Sequence, residues 1–117
     1  MRERIYRGKE LEGDRWVFGS LLVGAQSCFI CWEEGLNNFE TYKVNPLTVG
    51  VSAGYVDIFG VALFEGDIIE SGHGFEYLLI LQRNGVRARS KTGFLFDLED
   101  IYHPVKIQSI HDRKKEF

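Results

Sequence analysis

Short runs rich in Val, Ile, Phe, Tyr and Trp recur along the whole chain, cut by Gly, Asn and Asp, and none of them carries a helical period. This pattern constrains the fold more than any other feature. It predicts strands at Trp16–Val23, Ser27–Trp32, Phe39–Val44, Gly54–Phe59, Asp67–Glu70, Tyr77–Arg83, Val86–Ser90 and Val105–Ile110. A short helical turn is expected within Phe94–Asp100, and a turn at Gly13-Asp14 should lead into the strand at Trp16. With 13 glycines and 2 prolines, such strands can pair and reverse tightly. The expected fold class is mainly β: one small domain, 1–117, of short antiparallel strands. Its expected core is Trp16, Phe18, Phe29, Trp32, Tyr55, Leu63, Phe64, Ile68, Leu79 and Leu81.

The sharpest local signal is "LLILQRNGVRARS", where Asn84-Gly85 suits a two-residue type I′ turn between β-compatible runs. That register sets Arg83 opposite Val86, Gln82 opposite Arg87, Leu81 opposite Ala88 and Ile80 opposite Arg89. One face then carries Leu79, Leu81 and Ala88, and the other Arg87, Arg89 and Ile80. The run "SCFICW" has no alternation, which suits a strand covered on both faces, by the domain's own core or by another subunit.

At 117 residues the chain can bury a real core, and 44% hydrophobic with 26% charged residues is ordinary globular composition. A formal net charge of -3 predicts no global attraction to nucleic acid or anionic lipid, so only a local patch could provide it. No apolar run is long enough for a membrane helix, and "MRERIYRGKE" lacks the apolar centre of a signal peptide, so no membrane contact and a cytoplasmic location are expected. Cys28 and Cys31 are expected to be reduced and to staple nothing.

In "YVDIFGVALFEGDIIES", Asp57 and Gly60 bracket one turn and Glu65-Gly66-Asp67 bends the chain again before Ile68-Ile69. The run Gly54, Asp57, Gly60, Leu63, Phe64, Glu65, Gly66, Asp67, Ile68, Ile69 matches, in register, the T-G-L-x-D-x-N-G-x-x-I-Y-E-G-D-I-V stretch of the YopX family of phage and prophage proteins, which this chain resembles. "VNPLTVG" (44–50) is similar to that family's V-x-P-x-T-V-G, "RWVFGSLL" (15–22) to W-V-Y-G-x-L, and "IQSIHD" (107–112) to I-G-N-I-H-D. The resemblance implies a compact, mostly β protein of phage or prophage origin, in the cytoplasm of a bacterial host, that assembles into homo-oligomers and has no established activity. Two departures stand out. Phe59 occupies a position where the family has Asn, and Val61-Ala62 replace polar turn residues, which implies a covered turn. The motif residues Gly54, Asp57, Gly60, Glu65, Gly66 and Asp67 are expected to act as turn formers, with Gly66 supplying a positive φ and Asp67 accepting backbone hydrogen bonds. By fold analogy alone, the C-terminal part (55–117), set against an N-terminal part (1–54), is expected to hold an SH3-like barrel.

No constellation of catalytic residues is legible, and neither an enzyme nor a cofactor is expected. Cys28 and Cys31 fit C-x-x-C, but residues three apart on a strand face opposite sides and no second ligand pair follows, so no metal is expected. His73, His103 and His111 are scattered, no G-x-S-x-G appears, and the glycines form no phosphate loop. Arg83, Arg87, Arg89 and Lys91 cluster on the hairpin, with the last three at period two. They are the candidate nucleic-acid contacts, with Phe75, Tyr77 and Phe94 near enough in sequence to stack bases. The alternative is a solvated face paired with Asp97, Glu99 and Asp100. The functional expectation is a non-enzymatic interaction module, an oligomeric protein-binding protein of unknown partner, or else a nucleic-acid-binding β module using the 83–91 hairpin.

Overall fold

The computed structural model describes residues 4–33, 39–113 and 117. The chain is mainly β and divides into two compact units, Met1–Val51 and Ser52–Phe117, three residues earlier than the sequence predicts. No helix among the described residues is long and apolar enough to cross a membrane.

In the N-terminal unit β1 (Tyr6–Lys9), β2 (Trp16–Val23), β3 (Cys28–Glu33) and β4 (Phe39–Val44) form an antiparallel array in the order β4-β3-β2-β1. Gly50 and Val51, which open β5 (Gly50–Val56), pair with Arg7 and Tyr6. Alternation along β2 and β3 turns Val17 and Ile30 inward, where they meet Val44, and all three are at most 1% exposed. This corrects the expected core. Trp16, Phe18 and Phe29, one residue away from those positions, are only partly buried, whereas Trp32 packs against the cluster. Gly19 is required by close approach, since a Cβ there would stand 2.1 Å from the Cys31 carbonyl oxygen. The "VNPLTVG" segment is a fastener: Asn45 caps the 3-10 turn Pro46–Thr48 through the Leu47 N–H, and the Thr48 hydroxyl accepts the Lys9 N–H at 2.9 Å. Cys28 and Cys31 are free thiols.

In the C-terminal unit the rest of β5 pairs with β6 (Ala62–Phe64), Ser52 with Phe64 and Val56 with Ala62, with an irregularity between the two pairs. A five-stranded antiparallel sheet follows: β7 (Asp67–Glu70), β8 (Glu76–Gln82), β9 (Gly85–Ser90), β10 (Leu95–Phe96) and β11 (Val105–Ser109), in the order β10-β9-β8-β7-β11. Its edge strands β10 and β11 do not pair with each other, so the sheet is open and the expected SH3-like closure is not seen. The core is Leu63, Ile69, Leu79 and Ala88, all 0% exposed, with Leu98 and Ile101. Each buried Leu or Ile among them contributes about 1.5–3 kcal/mol over its exposed state. Tyr55 and Leu81, expected inside, are 44% and 45% exposed. Leu81 pairs with Val86 next to the hairpin loop, and of the two Val86 packs against the core.

The hairpin itself corrects the expected register. Gln82 faces Gly85, Leu81 faces Val86 and Ile80 faces Arg87, so the loop is Arg83-Asn84. Asp14 and His103 are the only non-glycine residues with positive φ among those described, so Asn84 does not take the type I′ conformation, and Gly85 at φ +121 turns the chain back into β9. The slip is two residues, which preserves every side chain's face. The short turn expected within Phe94–Asp100 forms as a 3-10 turn at Leu98–Asp100, preceded by β10. Three strands had no counterpart in the sequence prediction: β1, β6 and β10.

Candidate protein-interaction surface

The motif carboxylates act on the backbone. Asp57, 5% exposed, accepts the Phe59 and Val61 N–H groups through Oδ1 at 2.8 and 2.9 Å and the Lys106 N–H through Oδ2 at 3.1 Å. Burial pushes its pKa up, but these three N–H donors and the Lys106 charge outweigh burial and hold it below the ordinary carboxylate value. Asp67, 0% exposed, accepts the Phe64 N–H at 2.8 Å and lies 3.5 Å from Lys106 Nζ. One residue of β11 therefore ties both acids, Asp57 by its backbone and Asp67 by its side chain. Between them Gly66, at φ +92, donates to the Leu79 carbonyl and accepts from the Ile110 N–H. Glu65 is partly buried in the same turn. The expectation that these residues bend the chain thus holds in its geometry. Among the described residues, no three His, Cys, Asp or Glu side chains gather into a cluster able to hold a metal ion.

The turn that Asp57 builds is one of three alike. In 57–61 (DIFGV), 71–75 (SGHGF) and 90–94 (SKTGF), the first residue's N–H donates to the fifth residue's carbonyl at 2.8–2.9 Å. In each, the glycine at the fourth position, with φ between +81 and +93, donates to the first residue's carbonyl. A side-chain oxygen of the first residue, from Asp57, Ser71 or Ser90, accepts the fifth residue's N–H at 2.9–3.3 Å. The bonds that close each turn lie inside the loop, while the Ile58 and Gly72 N–H groups reach outside it, to the Pro104 and Tyr102 carbonyls. The spacing [D/S]-x-x-G-[V/F] is visible in the sequence.

What these turns display is apolar. Phe59, at the middle of the first, is 75% exposed, with Ile58 at 49% and Val61 at 43% beside it and Tyr55 and Val56 also exposed on the strand leading in. Ile58 is held by its N–H to the Pro104 carbonyl at 3.0 Å, so this finger is tied at its base. Phe75 and Phe94 end the other two turns and are 63% and 67% exposed. With Tyr77 and Phe96, whose rings meet edge to face at 5.6 Å, they line a groove of about 350 Å³. Lys91 and Glu76 on that groove are joined at 3.2 Å. A larger cleft of about 540 Å³ is lined by Ile58, Val105 and Ile107 together with His73, Tyr102 and His103, where Tyr102 meets the His73 ring tilted at 4.9 Å and the His103 ring edge to face at 4.0 Å.

The basic hairpin is largely engaged. Arg87 pairs with Asp97 at 3.1 Å, and Lys91 pairs with Glu76. Arg89 and Lys91 each lie 5.9 Å from the Phe117 ring, and Arg83 is exposed at the tip. The Lys91 hydrogen bond, with Arg113 also at hand, holds the Glu76 carboxyl below its ordinary pKa. Residues 114–116 of the charged tail "HDRKKEF" lie outside the described residues.

No protein-family model, curated protein or solved structure matches the chain.

Proposed function

We propose that this chain is a non-enzymatic interaction module, an oligomeric protein-binding protein, acting in the phage or prophage setting that its motif resemblance implies. The observation that carries the reading is the finger at 55–61. A phenyl ring 75% exposed at the middle of a turn whose own buried aspartate satisfies its amides is a preorganised contact, and preorganisation lowers the entropic cost of binding. The substitution of Phe and Val for polar residues in this turn argues in the same direction. Such a turn is suited to being covered, and a second molecule can cover it. Light scattering at micromolar concentration tests the reading: the native chain should be oligomeric, and Phe59→Ser should shift it toward monomer. A native chain that stays monomeric and captures no protein partner would end the proposal.

Phe75 and Phe94, exposed beside Lys91, support the second reading, a single-stranded nucleic-acid surface in which rings stack on bases and the hairpin cations meet phosphates. Its affinity should fall steeply with salt and with Arg87→Ala/Arg89→Ala, and a flat salt response would exclude it.

A further inference from the structure

The C-terminal unit exposes both a knob and a hole of the same chemistry, and we propose that they are halves of one contact: Phe59 of one copy inserts into the Phe75, Tyr77, Phe94, Phe96 groove of a second copy. This rests on the oligomeric reading above and specifies its interface. The knob is not seated in its own chain's groove, because Phe59, Phe75 and Phe94 are all more than 60% exposed. Nor does the groove share any lining residue with the cleft to which Ile58 belongs. About 350 Å³ lies at the lower end of the roughly 300–1,000 Å³ spanned by ligand pockets, a size suited to an aromatic side chain rather than a whole domain edge.

Charge fits as well. The inserting residues Ile58, Phe59, Gly60 and Val61 bear no ionisable group, and the groove's two charges, Lys91 and Glu76, already neutralise each other. Insertion therefore strands no unpaired ion. Four aromatic rings around a fifth can adopt the edge-to-face arrangements that phenyl groups favour, as Tyr77 and Phe96 already do. One such contact covers the knob of one copy and the groove of the other, and this chain itself supplies both halves. The contact is heterologous, joining different patches of two copies, so each copy keeps one half free unless a ring or a reciprocal pair closes it.

Two single variants and their mixture decide the matter. Phe59→Asp removes the knob and Phe94→Asp spoils the hole; both sites are solvent-exposed, and circular dichroism would verify that each variant is folded. In sedimentation velocity each alone should show self-association weakened by at least roughly 30-fold, the loss expected for a hot-spot residue. Mixed in equal amounts they should form a one-to-one complex, because Phe94→Asp still carries the knob and Phe59→Asp still carries the hole. A mixture that stays monomeric overturns the knob-in-hole contact. So does a Phe94→Asp variant that associates like the native chain while Phe59→Asp does not, a result that would leave the oligomeric reading intact. A native chain that is itself monomeric but loses a protein partner on Phe59→Asp would also refute this inference and keep the broader one.

Discussion

The two units bury ions of opposite sign. Among the described residues of the N-terminal unit the buried ion is a cation, Arg7, 2% exposed, with its guanidinium 4.5 Å from the Trp16 ring centroid. In the C-terminal unit the ions are anions, Asp57 and Asp67, supplied with main-chain N–H donors by tight turns and by β11. The contrast has a physical origin. A tight turn points several amides at one spot and so can replace the water around a carboxylate, whereas a flat guanidinium is covered well by an aromatic face. The consequence is functional. Turns fastened from inside can leave large apolar side chains in solvent without losing their shape, and in the C-terminal unit three turns of one design do so.

The largest expected effects test the glycines that each unit requires for a different reason. Gly66→Val places a β-branched residue at φ +92 and should cost about 3 kcal/mol or more, while Gly19→Ala forces β2 from β3 by a clash with the Cys31 carbonyl. Both tryptophans, Trp16 and Trp32, lie in the N-terminal unit, so urea unfolding followed by tryptophan emission reports that unit and far-ultraviolet circular dichroism reports both. Gly19→Ala should move the emission transition. A Gly66→Val protein as stable as the native one would break the account of the acidic turn.

Next come the ions themselves. Asp67→Leu leaves the Phe64 N–H and Lys106 without their acceptor and should cost about 3 kcal/mol. Arg7→Met keeps an apolar stem against Trp16 and gives up the cation–π contact, which is worth about 1–2 kcal/mol. Equal losses in urea titrations would erase the distinction between the two solutions.

Acid sharpens it further. Asp57 and Glu76 have pKa values below their ordinary ones, so the stability they confer is present above the unfolded-state carboxylate values and is lost as pH falls through the lower folded values. Both lie in the C-terminal unit. Its urea midpoint should therefore drop between neutral pH and about pH 3, near the carboxylate range, and Asp57→Asn should flatten that dependence. A midpoint indifferent to acid would mean the carboxyl groups are not held ionised.

The smallest effects belong to exposed ion pairs. Arg15→Ala, which loses Glu10, should leave the thermal midpoint nearly unchanged, and Arg87→Ala, which loses Asp97, should cost below about 1 kcal/mol by thermal unfolding. A larger loss in either would give surface charge more weight in that unit than its geometry warrants.

Much of this was legible in the residues. The β class, most strand positions, the turn at Asp57–Gly60 and the bend at Gly66 follow from local stereochemistry, since each depends on a few neighbouring side chains and on where glycine is tolerated. The core was legible only in part. Runs such as "RWVFGS" and "SCFICW" contain apolar residues at successive positions, so alternation cannot say whether Trp16 and Phe29 or Val17 and Ile30 face inward. The repeated five-residue turn left a readable spacing, but only the hydrogen bonds show that the three copies are equivalent.

By itself, then, the sequence determined a β chain reversing at glycines, with carboxylates placed to cap its bends, because propensity and turn chemistry act over a few residues. Tertiary structure alone decided the register of the 82–85 hairpin, the fate of the cations at Arg87 and Lys91, and the exposure of Phe59, Phe75 and Phe94. Those outcomes depend on which distant segments meet: Asp97 reaching Arg87, Glu76 reaching Lys91, and Lys106 arriving beneath Asp57 and Asp67.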